Sequence, residues 1–131
     1  MEFDQSLSSD YEKLLAKAKQ ILILQSAQSI VHWDMETKMP PKGIELRSQQ
    51  LALLSQMEHR MITDPEIGVL LGKIEKHLNY EAMNELQRRN VYLAKKQYDE
   101  ETKLPETLVV ETARQQAIAV DIWKKAKLAK D

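Results

Sequence analysis

The sequence predicts an all-α fold, a bundle of about five mostly antiparallel helices. Apolar residues recur at helical spacing through most of the chain. Only 3 Gly, 4 Pro and 1 Phe occur among 131 residues, a composition that favours helices over a β-sandwich. The helix breakers gather in short stretches, and connections of a few residues place consecutive helices side by side in opposite directions. The length suits a single domain, residues 1–131, with a core of its own.

In chain order, Ser8, Ser9 and Asp10 are candidate caps for a first helix, with Glu12 three residues after Ser9 in a capping-box arrangement. Tyr11, Leu14, Leu15, Ala18, Ile21 and Leu22 follow at helical spacing. At Ile21 to Leu24 the apolar residues surround the helix, which predicts burial on more than one face. The helix continues through Ala27, Ile30 and Val31 into a corner. There Pro40 and Pro41 remove two backbone donors and drive Met39 and Pro40 out of the α region. Gly43 then offers a permissive backbone for the exit. Trp33, Met35 and Met39 are more apolar bulk than a loop carries, so the corner is expected to be packed.

A second helix is predicted from about Gly43 to about Ile62, with Leu51, Leu54, Met57 and Met61 inward and Glu45, Arg47, Gln49 and Glu58 outward. Asp64-Pro65-Glu66 reads as cap, first-turn proline and first-turn acid. Ile67, Leu70, Leu71, Ile74 and Leu78 extend that third helix, and Gly68 and Gly72 suggest close packing on a neighbour. Asn79 is the candidate cap of a fourth helix with Met83, Leu86, Val91, Leu93, Ala94 and Tyr98, closed near Leu104-Pro105. A fifth starts at Pro105, carries Leu108, Val109, Thr112, Ala113, Gln116, Ala119, Val120 and Trp123, and runs to Asp131 with no breaker. A chain that is a truncated portion of something longer is the expectation.

Composition excludes several functions. A formal net charge of −1 leaves no basic excess to neutralise phosphates, so nucleic acid is not an expected partner. Without cysteine there is no disulfide or thiolate chemistry, which suits a reducing compartment. The acidic start Met1-Glu2-Phe3-Asp4-Gln5 lacks the features of a signal peptide, and no apolar run approaches the roughly 20 residues of a membrane span. A cytoplasmic protein without a membrane partner is expected.

The three histidines, His32, His59 and His77, fall on different predicted elements, whereas a metal held on one helix needs two imidazoles at i and i+4. His32 and Glu36 have that spacing, but two ligands make no site. Asp34 and Glu36 form a carboxylate pair beside Trp33, yet residues two apart on a helix do not face each other. Asp34 is expected to take hydrogen bonds that hold the corner's shape. No nucleophile elbow or glycine-rich phosphate loop is present. Neither a catalytic nor a metal-ligating residue is assigned. Lys124, Lys125, Lys127 and Lys130 complement the dipole at a helix end.

The run Trp33-Asp34-Met35-Glu36-Thr37, then Met39-Pro40-Pro41-Lys42-Gly43, with Glu45, Arg47 and Gln50-Leu51-Ala52-Leu53-Leu54-Ser55, resembles the opening of the carboxypeptidase Taq family. Asp64 to Gly68, Leu104-Pro105-Glu106 and Trp123 to Ala126 extend the likeness over nearly the whole chain. The resemblance implies the N-terminal helical part of a zincin-like metallocarboxypeptidase, an enzyme that removes C-terminal amino acids from peptides with a zinc ion. The family's His-Glu-x-x-His motif is absent from this sequence. The chain alone is therefore expected to hold no cofactor and to lack activity, with zinc and peptide substrate belonging to the intact enzyme. Trp33, Asp34, Met39, Pro40 and Gly43 are the candidate substrate-groove or structural-corner residues. The alternative is a stand-alone helical module. Either origin leaves apolar surface uncovered and predicts self-association as a homodimer.

Overall fold

A computed structural model describes the backbone of residues 2–130 and the side chains of residues 5–130. Asp131, the last position of the predicted fifth helix, lies outside them. The order is α1 (Glu2–Thr37), α2 (Ile44–Ile62), α3 (Pro65–Glu75), a 3₁₀ turn (Tyr80–Ala82), α4 (Glu85–Thr102) and α5 (Glu106–Lys130), with no strand among the described residues. The all-α expectation holds, and so does the number of helices. The chain forms two compact units, both discontinuous: residues 1–22 with 60–104, and residues 23–59 with 105–131.

The first unit is built on Leu7, Tyr11, Leu14 and Ile21 of α1, Ile67, Leu71 and Ile74 of α3, and Val91 of α4, with Ile62 and Met83 beside them. Ile74 and Val91 are fully buried. Helix α1 runs straight through Ser8–Asp10, so the predicted cap and its capping box do not form. Ser and Asp inside a helix cost a few tenths of a kcal/mol each, about 0.5, and burying Leu7 and Tyr11 on one stripe outweighs that. The third helix starts as predicted: Asp64 accepts the Glu66 N–H at 3.0 Å, and Pro65 takes the first turn. It ends at Glu75, before Leu78, which is left 81% exposed. The fourth helix is capped by Asn84 rather than Asn79. Asn84 Oδ1 accepts from Gln87 N (2.8 Å) while Gln87 Oε1 accepts from Asn84 N (3.0 Å). Reciprocal donors of that kind outcompete Asn79, which only precedes the 3₁₀ turn.

Of the two glycines on α3, Gly68 matches its predicted role. A Cβ there would lie 2.6 Å from the Tyr98 hydroxyl of α4. Gly72 does not, having nothing within 4 Å of such an atom.

The second unit centres on Met35, Leu51 and Ala117, each 1% exposed, with Val31, Met39, Ile44 and Val120 against them. Two stripes differ from expectation. On α2 the buried residues of this unit are Ser48, Leu51, Ala52 and His59, while Met57 points outward. On α5 Ala117 and Asp121 are buried and Val120 partly so, whereas Leu108, Thr112, Gln116, Ala119 and Trp123 face solvent. In both helices small or polar residues take the close-packed line, and apolar bulk alone misplaced the face by about one position.

Candidate functional site

The corner between α1 and α2 is tighter and later than its prolines suggest. Helix α1 continues to Thr37, so Trp33, Asp34 and Met35 occupy its last turns and the bend is confined to residues 38–43. The Asp34 carbonyl accepts from both Lys38 N (2.9 Å) and Met39 N (2.8 Å), and the Pro40 carbonyl accepts from Gly43 N at 2.8 Å. Gly43 has no positive φ, so permissive backbone is not its reason. A Cβ at this position would sit 2.8 Å from Met39 Cγ and 3.1 Å from the Pro40 oxygen. Glycine is needed there for close approach.

Asp34 does hold the corner. Its Oδ2 accepts from Arg47 Nε at 2.7 Å and lies 2.6 Å from Arg47 Nη2, while Arg47 Nη1 donates to Gln50 Oε1 at 2.6 Å. Arg47, expected to point outward, thus turns back across the bend, and both charged side chains are about three-quarters covered. A carboxylate one turn before a bend and an arginine one turn after it are within reach of each other, which is the signal that could have paired them. Helix α1 has no basic residue in its last turn. Lys124 of α5 supplies one, donating from Nζ to the Met35 carbonyl at 3.0 Å. A cation placed there compensates the helix's negative end.

The five candidate residues separate at this point. Asp34 and Gly43 are held by the bonds and contacts just described, and Met39 packs on the second unit's core. Pro40 is exposed apart from its bonded carbonyl, and Trp33 is 57% exposed rather than packed into the corner. Of the histidines, His32 is exposed, His59 is buried on α2, and His77 accepts the Asn79 N–H on Nδ1 at 3.0 Å. Among the described residues no three His, Asp or Glu side chains converge where a metal ion could be held.

Beside the corner, α2 and α5 enclose an open groove of about 540 Å³. Ile44, Ala52 and Ile118 give it apolar walls, with Glu111 and Arg114 also in its lining. Two buried polar residues lie in its lining, and neither was singled out in the sequence. Ser48 donates its hydroxyl to the Glu45 carbonyl (2.8 Å), and Asp121 pairs with Lys125 (2.9 Å). Their apolar-stripe positions on α2 and α5 were the available signal. The groove can accept an extended or helical apolar segment.

In the first unit, Lys17 Nζ lies 2.9 Å from Asp64 Oδ2 and 3.1 Å from Glu66 Oε2. The Glu66 N–H first, and then Lys17, hold the Asp64 carboxyl below its usual 3.8, while hydrogen bonds to Asp64 and Glu66 raise Lys17 above 10.5. This cluster caps α3.

No helix of the described residues is long and apolar enough to cross a membrane. Compared with known proteins, residues 13–131 match the model of the carboxypeptidase Taq metallopeptidases. The chain is 32% identical over 117 residues to thermostable carboxypeptidase 1 of Thermus thermophilus, covering 89% of this chain and 23% of that protein. It is 31% identical over 120 residues to thermostable carboxypeptidase 1 of Pyrococcus furiosus, covering 92% and 23%. With carboxypeptidase 1 of Bacillus subtilis it shares 28% over 109 residues, covering 83% and 21%. The chain thus spans under a quarter of the length of these relatives. No solved structure matches it with comparable significance. From the first turns of α1 through α5, the chain belongs to the carboxypeptidase Taq metallopeptidase family.

Proposed function

We propose that the chain serves as the N-terminal helical portion of a zinc metallocarboxypeptidase and is not a peptidase by itself. One observation carries this reading. Relatives named as carboxypeptidases align with about nine-tenths of this chain and under a quarter of their own length, while the acids and histidines among the described residues gather no ligand set. No step of peptide hydrolysis is assigned to its residues. The role that fits its geometry is scaffolding. The Arg47–Asp34 pair and the Met35 core fix the corner, which presents the exposed Trp33 ring at the end of α1. In the intact enzyme, Trp33 and the α2–α5 groove would form part of the wall along which a peptide lies.

The test is an assay of release of a C-terminal amino acid from a blocked peptide by the purified chain, with and without added zinc. No release above a buffer control is expected in either case. Release that a chelator abolishes would sink the proposal.

A further inference from the structure

We infer that the α2–α5 groove is a subsite for an arginine side chain of a bound peptide, with the Asp121 carboxylate as its anchor. That the ligand is a peptide rests on the function proposed above; which side chain it presents is decided by the groove. Along α2 the lining includes Ile44, Ser48 and Ala52, and along α5 Val110, Ile118 and Asp121. These positions recur at helical spacing, so each helix offers one face, about 12 Å long on α2 and about 16 Å on α5. Between the faces lie about 540 Å³, room for a few residues of extended chain.

The polar groups of the lining select the occupant. Asp121 is only 8% exposed, and a buried carboxylate is costly unless it is well paired. It is paired with Lys125 at 2.9 Å, one turn further along α5, but that lysine side chain is 61% exposed. Exposed pairs of this kind are weak, so the lysine can be displaced. The other buried polar group, Ser48, commits its proton to the Glu45 carbonyl at 2.8 Å and leaves an acceptor oxygen. Both buried polar groups thus present acceptors, which calls for a ligand made of donors. In the lining as a whole Glu45, Glu111 and Asp121 outnumber the one base, Arg114, whose guanidinium lies 4.0 Å from Glu111. A phosphate or carboxylate ligand would meet acids there. A guanidinium carries five donors and no acceptor, and it can grip a carboxylate through two parallel bonds. Being less strongly hydrated than an ammonium, it displaces Lys125 more readily than a second lysine could. Apolar residues on either side of the arginine would bury their surface on Ile44, Ala52 and Ile118.

The test is an amide NMR titration of the folded chain with the peptide acetyl-Ala-Leu-Arg-Leu-Ala-amide. Saturable shifts are expected at residues 44–52 and 110–121, with a Kd of about 0.1–1 mM. No saturation up to about 5 mM, or shifts centred elsewhere, overturns the inference. Citrulline in place of arginine keeps the shape without the charge and should weaken binding at least about fivefold; equal affinity overturns the choice of side chain. Asp121→Asn should weaken the arginine peptide by a similar factor. Asp99→Asn, at the comparable lysine pair of α4, should leave binding unchanged, and equal losses in the two variants overturn the site. Should Asp121→Asn fail to fold, Lys125→Ala decides, because it alters an exposed side chain. Removing the competing ammonium should tighten binding about twofold or more, and unchanged or weaker binding overturns the inference. Binding is read here without hydrolysis. Release of amino acids by the chain would sink the function proposed above and leave this subsite standing, whereas an empty groove would sink the subsite alone.

Discussion

At the scale of single residues, the three glycines carry three different meanings in one spacing-blind letter. Gly43 is crowded by Met39 Cγ and the Pro40 oxygen, Gly68 by the Tyr98 ring, and Gly72 by nothing. Gly43→Ala should destabilise by about 1–3 kcal/mol through overpacking. Gly72→Ala, inside α3, should stabilise by about 0.5–1 kcal/mol by lowering the unfolded chain's entropy. Urea denaturation of the two variants checks both signs, and like signs would contradict the contacts described. The corner's existence was legible from Pro40, Pro41 and Gly43, and its family likeness from the residues around Trp33. The partner of Asp34 was not. Arg47 looks like an ordinary surface arginine until the bend brings it back. Trp33 misled for the opposite reason, since bulk beside two prolines suggests packing although the ring is mostly exposed.

At the scale of elements, α3 was the most legible helix because its start is written in local chemistry. Asp64 accepts from Glu66 N and from Lys17, and Pro65 needs no donor. A carboxyl whose pKa is lowered by folding contributes stability that is complete above its unfolded value, 3.8, and is lost as pH falls through the lower folded value. Asp64→Ala should therefore cost about 1 kcal/mol at pH 7. In chemical denaturation the difference from the parent chain should shrink as pH drops below 3.8, toward nothing once both states are protonated. A difference unchanged down to pH 2 would remove the carboxylate from the cap. Lys17, raised above 10.5, contributes with the opposite sign: present at lower pH and lost as pH rises through its folded value. The starts of α1 and α4 were less legible. Good capping residues abound in this sequence, and burial of Leu7 and Tyr11, or the reciprocal Asn84–Gln87 bonds, decided among them.

At the scale of the whole molecule, the all-α class followed from periodicity, while the division into two cores did not. Each core draws on stretches separated by dozens of residues, and periodicity reports only local faces. Burial nonetheless ranks the side chains. Ile74→Ala should cost about 2–5 kcal/mol and lower the melting temperature by several degrees, because Ile74 is fully buried. Leu128→Ala, at a residue 74% exposed, should stay within about 0.5 kcal/mol. Calorimetry of the two variants tests whether burial or bare hydrophobicity sets the cost.

The interleaving of the two units has a consequence for the newborn chain. Residues 1–22 wait for 60–104, and residues 23–59 wait for 105–131, so neither half-built unit can close around what the ribosome has already released. The Lys124 bond to Met35, 89 residues upstream, is made only once α5 has left the ribosome. Until then the carboxyl end of α1 lacks its cation, and the uncharged turns before it stay open to chaperones or to a neighbouring nascent chain.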